Sequence, residues 1–276
     1  MKLKQTALAV GLIVAASSAS ALTLDFRHEY RADTTYTKTD GSKGSVDERH
    51  QSRVKIGESF KINSDWKHST SLEIKFHSDD KKEGGSNSSQ FMQDLYVYGM
   101  ELDNTATYKI DKNWYLQVGM PIAWDWDEPE AHNGSWMMKK VTYKPQFRLG
   151  YKANMGLTNA LRLRMEFADF RDDRFADSNM ETGEKLSMGK KAKWTYTGAY
   201  KIKALPKLGL SWEGNYVKSL DNVKLYDGKD WEWDFGVKVA YKLGNWTPFA
   251  ELWSTDISSS SDDREAKYRL GIKYKF

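Results

Sequence analysis

The sequence predicts an all-β protein, a transmembrane antiparallel β-barrel of about twelve strands. The first observation is that segments of roughly ten residues alternate between apolar and polar side chains, which is the period of a strand with one apolar face. The second is that aromatic residues, 13% of the 276, recur at both ends of these segments, as in strands that end at membrane borders. The third is that short turns and long polar loops separate the segments in alternation. A soluble β-sandwich would not combine these features.

Residues 1–21 have the composition of a signal peptide. Lys2 and Lys4 precede an apolar run from Ala7 to Ala16, and Ala19-Ser20-Ala21 has the small residues of a cleavage site. The run is too short to span a bilayer as a helix. We therefore predict that residues 1–21 are a signal peptide and that residues 22–276 form the barrel.

Twelve alternating segments follow in the order of the chain. Their predicted bounds are Leu22–Arg31, Arg49–Phe60, Trp66–His77, Tyr96–Ile110, Trp114–Trp124, Val141–Tyr151, Leu161–Phe167, Ala192–Ile202, Leu208–Tyr216, Trp231–Tyr241, Trp246–Trp253 and Tyr268–Phe276. The last segment is among the clearest, because all of its aromatic and aliphatic side chains share one face. The eleventh is poorly phased, since it contains Pro248 and Glu251, and it is included mainly to keep the strand number even.

The connections predict an orientation in the membrane. Ile62–Asp65, Asp111–Asn113 and Leu243–Asn245 are short turns, whereas 78–89 and 171–187 are long polar loops. In outer-membrane barrels the short turns are periplasmic and the long loops extracellular. Both termini are therefore predicted to be periplasmic.

The polar face of the predicted strands is rich in basic residues. Charge on the lipid face is costly near the middle of the membrane, so alternation assigns these side chains to the lumen. The candidate pathway residues are Arg27, Arg31, Arg49, Arg53, Lys144, Arg148, Arg162, Arg164, Lys191, Lys193, Lys201, Lys238, Arg269 and Lys273. Inward acids are fewer, and rows of Arg and Lys in a water-filled pore favour anions. In the alternative interpretation, the bases only pair with inward acids across strands and keep the lumen hydrated.

Composition excludes several functions. The chain has 42 Lys and Arg against 38 Asp and Glu, and without Lys2 and Lys4 the balance is 40 minus 38, or +2. A value so near neutral does not indicate binding to nucleic acid. The chain has no cysteine, so an exported protein of this sequence forgoes disulfides. Its histidines lack metal-ligand spacing, and neither a metal site nor a cofactor is expected.

Two segments give the sequence a specific resemblance. Phe26 to Arg31, reading Phe-Arg-His-Glu-Tyr-Arg, resembles the Tyr-Arg-His-Glu-Tyr-Arg opening of the oligogalacturonate-specific porin family, which includes sialic-acid-inducible porins. Asp47–Arg53 resembles the second strand of that family, and Tyr268–Tyr274 its last. The resemblance implies a monomeric twelve-stranded barrel in the outer membrane, with facing basic rows that carry acidic oligosaccharides.

Other features leave alternatives open. The series His132 to Ser135 suggests an outer-membrane lipid hydrolase, although it lies in a loop without a rigid support for catalysis. A nucleoside-type or general small-solute channel is a further alternative, for which aromatic rather than basic rows would be expected. The Trp and Tyr residues are interpreted as membrane-border girdles, although an inward Tyr115 would be able to stack on a sugar.

The surface of the predicted barrel suggests three kinds of partner. The apolar outer face would contact outer-membrane lipid. The acidic loops are interpreted as solvated loop tips, and contact with lipopolysaccharide through divalent cations is the alternative. The terminal Phe276 resembles the C-terminal signal that the barrel assembly machinery reads.

Overall fold

The computed structural model describes residues 22–78, 95–127 and 137–276, which form sixteen β-strands. The strands are β1 (Thr23–Arg31), β2 (Thr34–Thr37), β3 (Lys43–Val46), β4 (Arg49–Lys61), β5 (Trp66–Ser78), β6 (Leu95–Lys109), β7 (Trp114–Gly119), β8 (Ile122–Trp126), β9 (Met138–Tyr143), β10 (Gln146–Lys152), β11 (Leu157–Phe170), β12 (Met188–Lys201), β13 (Leu208–Ser219), β14 (Trp231–Tyr241), β15 (Trp246–Asp256) and β16 (Arg264–Lys275). Within the described ranges, no helix is long and apolar enough to cross a membrane.

Fourteen of these strands form one closed antiparallel barrel of twelve strand positions. β7 and β8 continue one another along β6, and β9 and β10 continue one another along β11. Pro121 and Pro145 lie at the two interruptions, because proline has no N–H for the strand ladder. The first strand pairs with the last, from Thr23 with Lys275 to Arg31 with Lys267, and closes the sheet. The predicted antiparallel barrel of twelve strands is therefore confirmed.

The outer face of the barrel is apolar. On β14, Val237 and Val239 are 44% and 47% exposed, and on β16 Leu270 is 66% exposed. Such exposure of aliphatic side chains along whole strands suits contact with lipid rather than water. Aromatic pairs, such as Trp66 with Tyr108 and Trp246 with Tyr274, lie at one end of the barrel. They agree with the predicted girdle at that border.

The two ends of the barrel differ in their connections. At the turn end, the strands are joined by the short segments 62–65, 110–113, 153–156, 202–207 and 242–245, and both chain ends meet where the Phe276 N–H donates to the Leu22 carbonyl at 3.1 Å. In one of these turns, Asp111 Oδ1 accepts hydrogen bonds from the backbone N–H groups of Asn113 and Trp114, both at 2.7 Å. These bonds lower the pKa of Asp111 and fix the turn.

The loop end carries an interlocked rim. β2 and β3 form a hairpin in the first loop, which the sequence had indicated only as polar. Its tip donates from Thr39 N to the Ser260 carbonyl at 2.8 Å and from the Thr39 hydroxyl to Asp227 Oδ1 at 3.0 Å. Three loops, 32–48, 220–230 and 257–263, are thereby joined above one side of the barrel.

Several predicted strand bounds need correction. The fifth and sixth segments are each broken at a proline, where the sequence had predicted continuous strands. The last strand begins at Arg264 rather than Tyr268. The uncertain eleventh segment is a full strand, Trp246–Asp256, which pairs with β14 and β16. The predicted signal peptide, residues 1–21, lies outside the described residues and remains a prediction.

Candidate functional site in the barrel lumen

The inner face carries rows of arginines at matching positions. Arg27 of β1 pairs in register with Arg53 of β4, and Arg31 with Arg49. Like charges placed directly opposite each other repel, so such a row needs carboxylates between its members. The described chain supplies five such carboxylates, which are Glu29, Glu251 and Glu265 and in addition Asp25 and Glu73.

Glu29 is the first of these carboxylates and is only 3% exposed. Its oxygens lie 2.6 Å from Arg269 Nε, 3.1 Å from Arg31 Nε and 3.5 Å from Arg53 Nη2. Arg53 also lies 3.5 Å from Glu73. One buried carboxylate therefore holds arginines from three neighbouring strands.

Glu251 is the second carboxylate, in the eleventh barrel strand. It lies 3.1 Å from Lys238 Nζ, 3.3 Å from Arg269 Nη1 and 3.9 Å from Arg27 Nη1. Arg27 is also held by Asp25, with Nε 2.9 Å from the Oδ1 atom. Charge-assisted bonds of this kind fix the position of guanidinium groups.

Glu265 is the third carboxylate, near the loop end. It lies 2.7 Å from Arg31 and 2.9 Å from Arg49. We call the arc of β14, β15, β16, β1, β4 and β5 the paired wall. Within the described residues Lys273 of this arc forms no ion pair with a carboxylate, whereas its other six predicted cations all pair with wall carboxylates. These cations are Arg27, Arg31, Arg49, Arg53, Lys238 and Arg269.

The opposite arc is different. Arg148 of β10 pairs in register with Arg162 of β11, and Lys193 of β12 stands opposite Arg164. Among the described residues, Arg148, Arg162 and Lys193 form no ion pair with a carboxylate. Arg162 donates only to the Thr195 hydroxyl at 2.9 Å, and its buried Nε has no hydrogen-bond partner within the described chain. We call Arg148, Arg162 and Lys193 the open wall.

The remaining predicted cations differ in their partners and in their position along the barrel. Arg164 donates twice to Gln146 Oε1, at 2.9 and 2.7 Å, and lies 4.0 Å from Glu166. Lys144 meets Glu101 at 2.8 Å, and Lys191 meets Asp177 at 3.5 Å. Lys273 lines the lumen, whereas Lys201 lies exposed at the turn end of its strand.

Both walls border the same space. A cavity of about 520 Å³ is lined by seven cationic and three carboxylate side chains. These are Arg27, Arg53, Arg148, Lys193, Lys238, Lys267 and Arg269, with Glu213, Asp234 and Glu251. A cavity of about 340 Å³ includes Lys55, Arg148, Arg162 and Lys273, and one of about 500 Å³ lies at the turn end beside Lys152. Arg148 lines all three cavities.

Three aromatic side chains lie flat on glycines of the inner face. A Cβ added to Gly236 would lie 2.3 Å from Trp253, one on Gly271 would lie 2.3 Å from Phe249, and one on Gly150 would lie 2.0 Å from Tyr115. Only a residue without a side chain lets a ring approach the backbone so closely. The rings are therefore pressed against the wall and leave the centre of the bore to the charged groups.

Sequence reasoning missed some of these residues. Lys267 and Glu265 fell outside the predicted last strand, because that strand begins four residues earlier than its alternation suggested. Phe249 and Trp253 were missed because the eleventh segment is poorly phased, with Pro248 inside it. Glu251 is an inward acid two residues from both Phe249 and Trp253, and alternation from it indicates that these two side chains share the inner face.

The histidines bear on the catalytic and metal-site alternatives. The series His132 to Ser135 lies outside the described residues. His28 and His50 contact each other at 3.0 Å between Nε2 and Nδ1, next to Ser52. Within the described ranges, no cluster of His, Asp and Glu has the arrangement of a metal site.

The chain has relatives of known family. A model of the oligogalacturonate-specific porin protein (KdgM) family matches residues 15–276. The chain is 24% identical over 278 residues to the oligogalacturonate-specific porin KdgM of Dickeya dadantii strain 3937, with all of both chains covered (100% and 100%). It is 27% identical over 268 residues to the uncharacterized protein YiiY of Salmonella typhimurium strain LT2, which covers 94% of this chain and 92% of YiiY.

Solved structures share the fold. The NanC porin is 16% identical, with a TM-score of 0.62 over 92% of this chain and 100% of NanC. The KdgM porin, solved in complex with disordered oligogalacturonate, is 18% identical, with a TM-score of 0.51 over 92% of this chain and 99% of KdgM. At such identities the likeness concerns the barrel architecture.

Proposed function

The chain belongs to the oligogalacturonate-specific porin family, and from this premise we propose that it is a passive, anion-selective channel for acidic oligosaccharides. The carried sugars would be oligogalacturonate or related uronates. A porin with a closed barrel of this kind is a multi-pass protein of the Gram-negative outer membrane. The proposal concerns the solute and how the lumen selects it.

The observation that carries the proposal is a cationic cavity in which the cations of the open wall form no ion pair with a described carboxylate. Seven cations and three carboxylates line the same space of about 520 Å³. The guanidinium of Arg148 forms no ion pair with any described carboxylate, so its donors are available to a solute. A guanidinium presents a planar fork that matches a carboxylate at two points. A uronate chain offers one carboxylate on each sugar, so it suits a lumen with several such groups.

The arrangement suggests how solute moves. Arg148 borders all three cavities, so a carboxylate bound to it reaches the next cavity without leaving a cationic neighbour. Conduction requires sites that attract the solute and still release it, which several weak sites achieve better than one strong site. The paired wall would contribute a hydrated, charged surface and a fixed shape.

This function requires no chemistry by the protein, and we propose that the chain is not an enzyme and needs no cofactor. The outer-membrane lipid hydrolase remains the less favoured alternative. A nucleoside-type or general small-solute channel would be expected to show aromatic rows. The inner aromatic rings described above lie against the wall, and cations border the cavities.

The partners of the barrel are also proposals. Phe276 is 65% exposed at the end of β16 and contacts Tyr274 edge-on at 4.7 Å. It is thus accessible for recognition by the barrel assembly machinery. Lipid would cover the apolar outer face, lipopolysaccharide would meet the loop end, and the channel would act as a monomer.

Single-channel recording in a planar bilayer tests the proposal. The purified barrel should show anion preference in a KCl gradient, and trigalacturonate should block the current in a saturable manner. Maltotriose, a neutral sugar of the same ring number, should block weakly. Cation preference, or equal block by the two sugars, would contradict the proposal. Release of fatty acid from lipid would favour the hydrolase.

A further inference from the structure

Trp253 is an inward aromatic residue whose ring is held both by backbone packing and by a hydrogen bond. Its ring lies over Gly236 of the neighbouring strand, where an added Cβ would be 2.3 Å from Cδ2 and 2.4 Å from Cε2. The indole N–H donates to Glu251 Oε2 at 2.9 Å. Because one face rests on backbone and the polar edge is bonded, the ring is held in one orientation before any solute arrives.

The other face of this ring borders the lumen. Trp253 lines the cavity of about 520 Å³, together with Lys267 and Arg269. Arg269 Cζ lies over the Trp253 ring at 4.9 Å from the centroid and Lys267 Nζ at 5.2 Å, both within the cation–π range of about 6 Å. These distances exceed the contact distance for direct stacking, roughly 3.5 to 4.0 Å. Phe249 differs, because Lys238 Nζ sits 3.4 Å over its centroid and occupies that ring.

A flat apolar face flanked by two cations matches one chemical class. A pyranose ring presents C–H groups on one face, and a uronic acid adds a carboxylate at the ring edge. We propose that Trp253, Arg269 and Lys267 form a stacking subsite for a hexuronate residue, in which the sugar lies on the indole and its carboxylate meets the cations. This inference rests on the proposed function, and it assigns Trp253 the selection of acidic sugars over other anions of equal charge.

A purely structural role for Trp253 gives a different expectation. A side chain that only covers Gly236 would be replaceable by another apolar side chain without effect on solute discrimination. A stacking ring would be replaceable only by another aromatic ring. Solutes of equal charge, with and without pyranose rings, separate the two roles.

The experiment compares two blockers of the current in planar bilayers. Trigalacturonate and an N-acetylated, C-amidated tri-glutamate carry the same number of carboxylates, but only the first has pyranose rings. The variants are Trp253→Leu and Trp253→Phe. The matched control is Trp246→Leu, in the same strand but on the outer face, where Trp246 is 48% exposed and its tilted ring lies 4.5 Å from that of Tyr274. Heat-modifiable mobility on gels and the KCl reversal potential establish that each barrel is folded and charged alike.

The expected result is selective. Trp253→Leu should raise the blocking constant of trigalacturonate roughly three- to tenfold and leave that of tri-glutamate unchanged. Trp253→Phe should retain most of the affinity, and Trp246→Leu all of it. Equal weakening of both blockers, or no change in either, would overturn the stacking subsite while the channel proposal stands. A parent channel that neither blocker affects would overturn the proposed function itself.

Discussion

The two sides of the lumen use the same residue types in different ways. On the paired wall, Glu29 alone meets three arginines, and Glu265 meets two. On the open wall, Arg148 and Arg162 stand opposite each other without a described carboxylate partner. The difference teaches that an inward arginine is not by itself a solute contact. Its role depends on whether the wall already occupies its donors.

The energetic consequence differs between the walls. A guanidinium held by a buried carboxylate stabilises the barrel, and loss of its partner leaves a buried charge uncompensated. A guanidinium without a partner contributes repulsion to the empty barrel and offers donors to an anion. We therefore expect substitutions on the paired wall to change stability first, and substitutions on the open wall to change solute binding first.

The largest expected effect concerns Glu29. Replacing Glu29 with Gln should destabilise the barrel by about 3 kcal/mol, because Arg31, Arg53 and Arg269 lose their shared carboxylate. Denaturant unfolding in lipid vesicles, followed by tryptophan fluorescence, measures this change.

The control is Glu213→Gln in the same lumen. Glu213 accepts a hydrogen bond from Asn215 at 3.1 Å and forms no ion pair with a described cation. We expect a loss within about 1 kcal/mol. Equal destabilisation by the two substitutions would remove the distinction between the walls.

A smaller effect separates charge from geometry on the open wall. The double variant Arg148→Lys with Arg162→Lys keeps both positive charges but removes the planar guanidinium forks. The reversal potential in a KCl gradient should stay at the parental value, while the blocking constant of trigalacturonate should rise roughly three- to tenfold. Unchanged block would show that the open wall acts only through its charge.

The smallest effect concerns the rim above the paired wall. Asp227 accepts hydrogen bonds from Lys229 Nζ at 2.9 Å and from the Thr39 hydroxyl at 3.0 Å, and these contacts lower the pKa of Asp227. With a depressed pKa in the folded state, the contact is at full strength above the ordinary aspartate value of about 4 and is lost as pH falls through the depressed value.

A spin label at Lys38→Cys reports this change. Its mobility should rise at acid pH, and Asp227→Asn should show the mobile spectrum already at pH 7. The control is Asp40→Asn. The pKa of Asp40 is also lowered, by its hydrogen bonds with Ser42, but these bonds stay within one loop. The contact between Thr39 and Asp227 should therefore persist in this variant. A spectrum independent of pH in the parent would show that the rim does not depend on Asp227.

Much of the architecture was predictable because alternation acts locally. The period of two in Tyr268–Phe276 and Trp231–Tyr241 fixes which side chains share a face, whatever the partner strand. The same rule places Arg148 and Arg162 on one side of their strands. The breaks at Pro121 and Pro145 were missed, although proline inside a strand pattern indicates an interruption.

The pairing of the inward charges was not predictable in the same way. Arg31 meets Glu265 across 234 residues of chain, and this contact depends on the register between the first and last strands. The pairing of the bases differs between the two walls, and the anion preference of the basic rows stays a prediction. Bases pair across strands on one wall, as the alternative stated, and remain without described carboxylate partners on the other.

The central claim is that the open wall binds solute carboxylates while the paired wall holds the barrel. The most direct test compares two double variants that each remove two positive charges from the lumen. Arg27, Arg53 and Arg148 line the cavity of about 520 Å³, and Arg162 lines the cavity of about 340 Å³. One variant combines Arg148→Gln with Arg162→Gln, and the other combines Arg27→Gln with Arg53→Gln. The measurement is the trigalacturonate concentration that blocks half of the single-channel current. We expect at least about a tenfold increase for the open-wall variant and a clearly smaller one for the paired-wall variant. A larger increase for the paired-wall variant, at matched levels of folded barrel, would contradict the account.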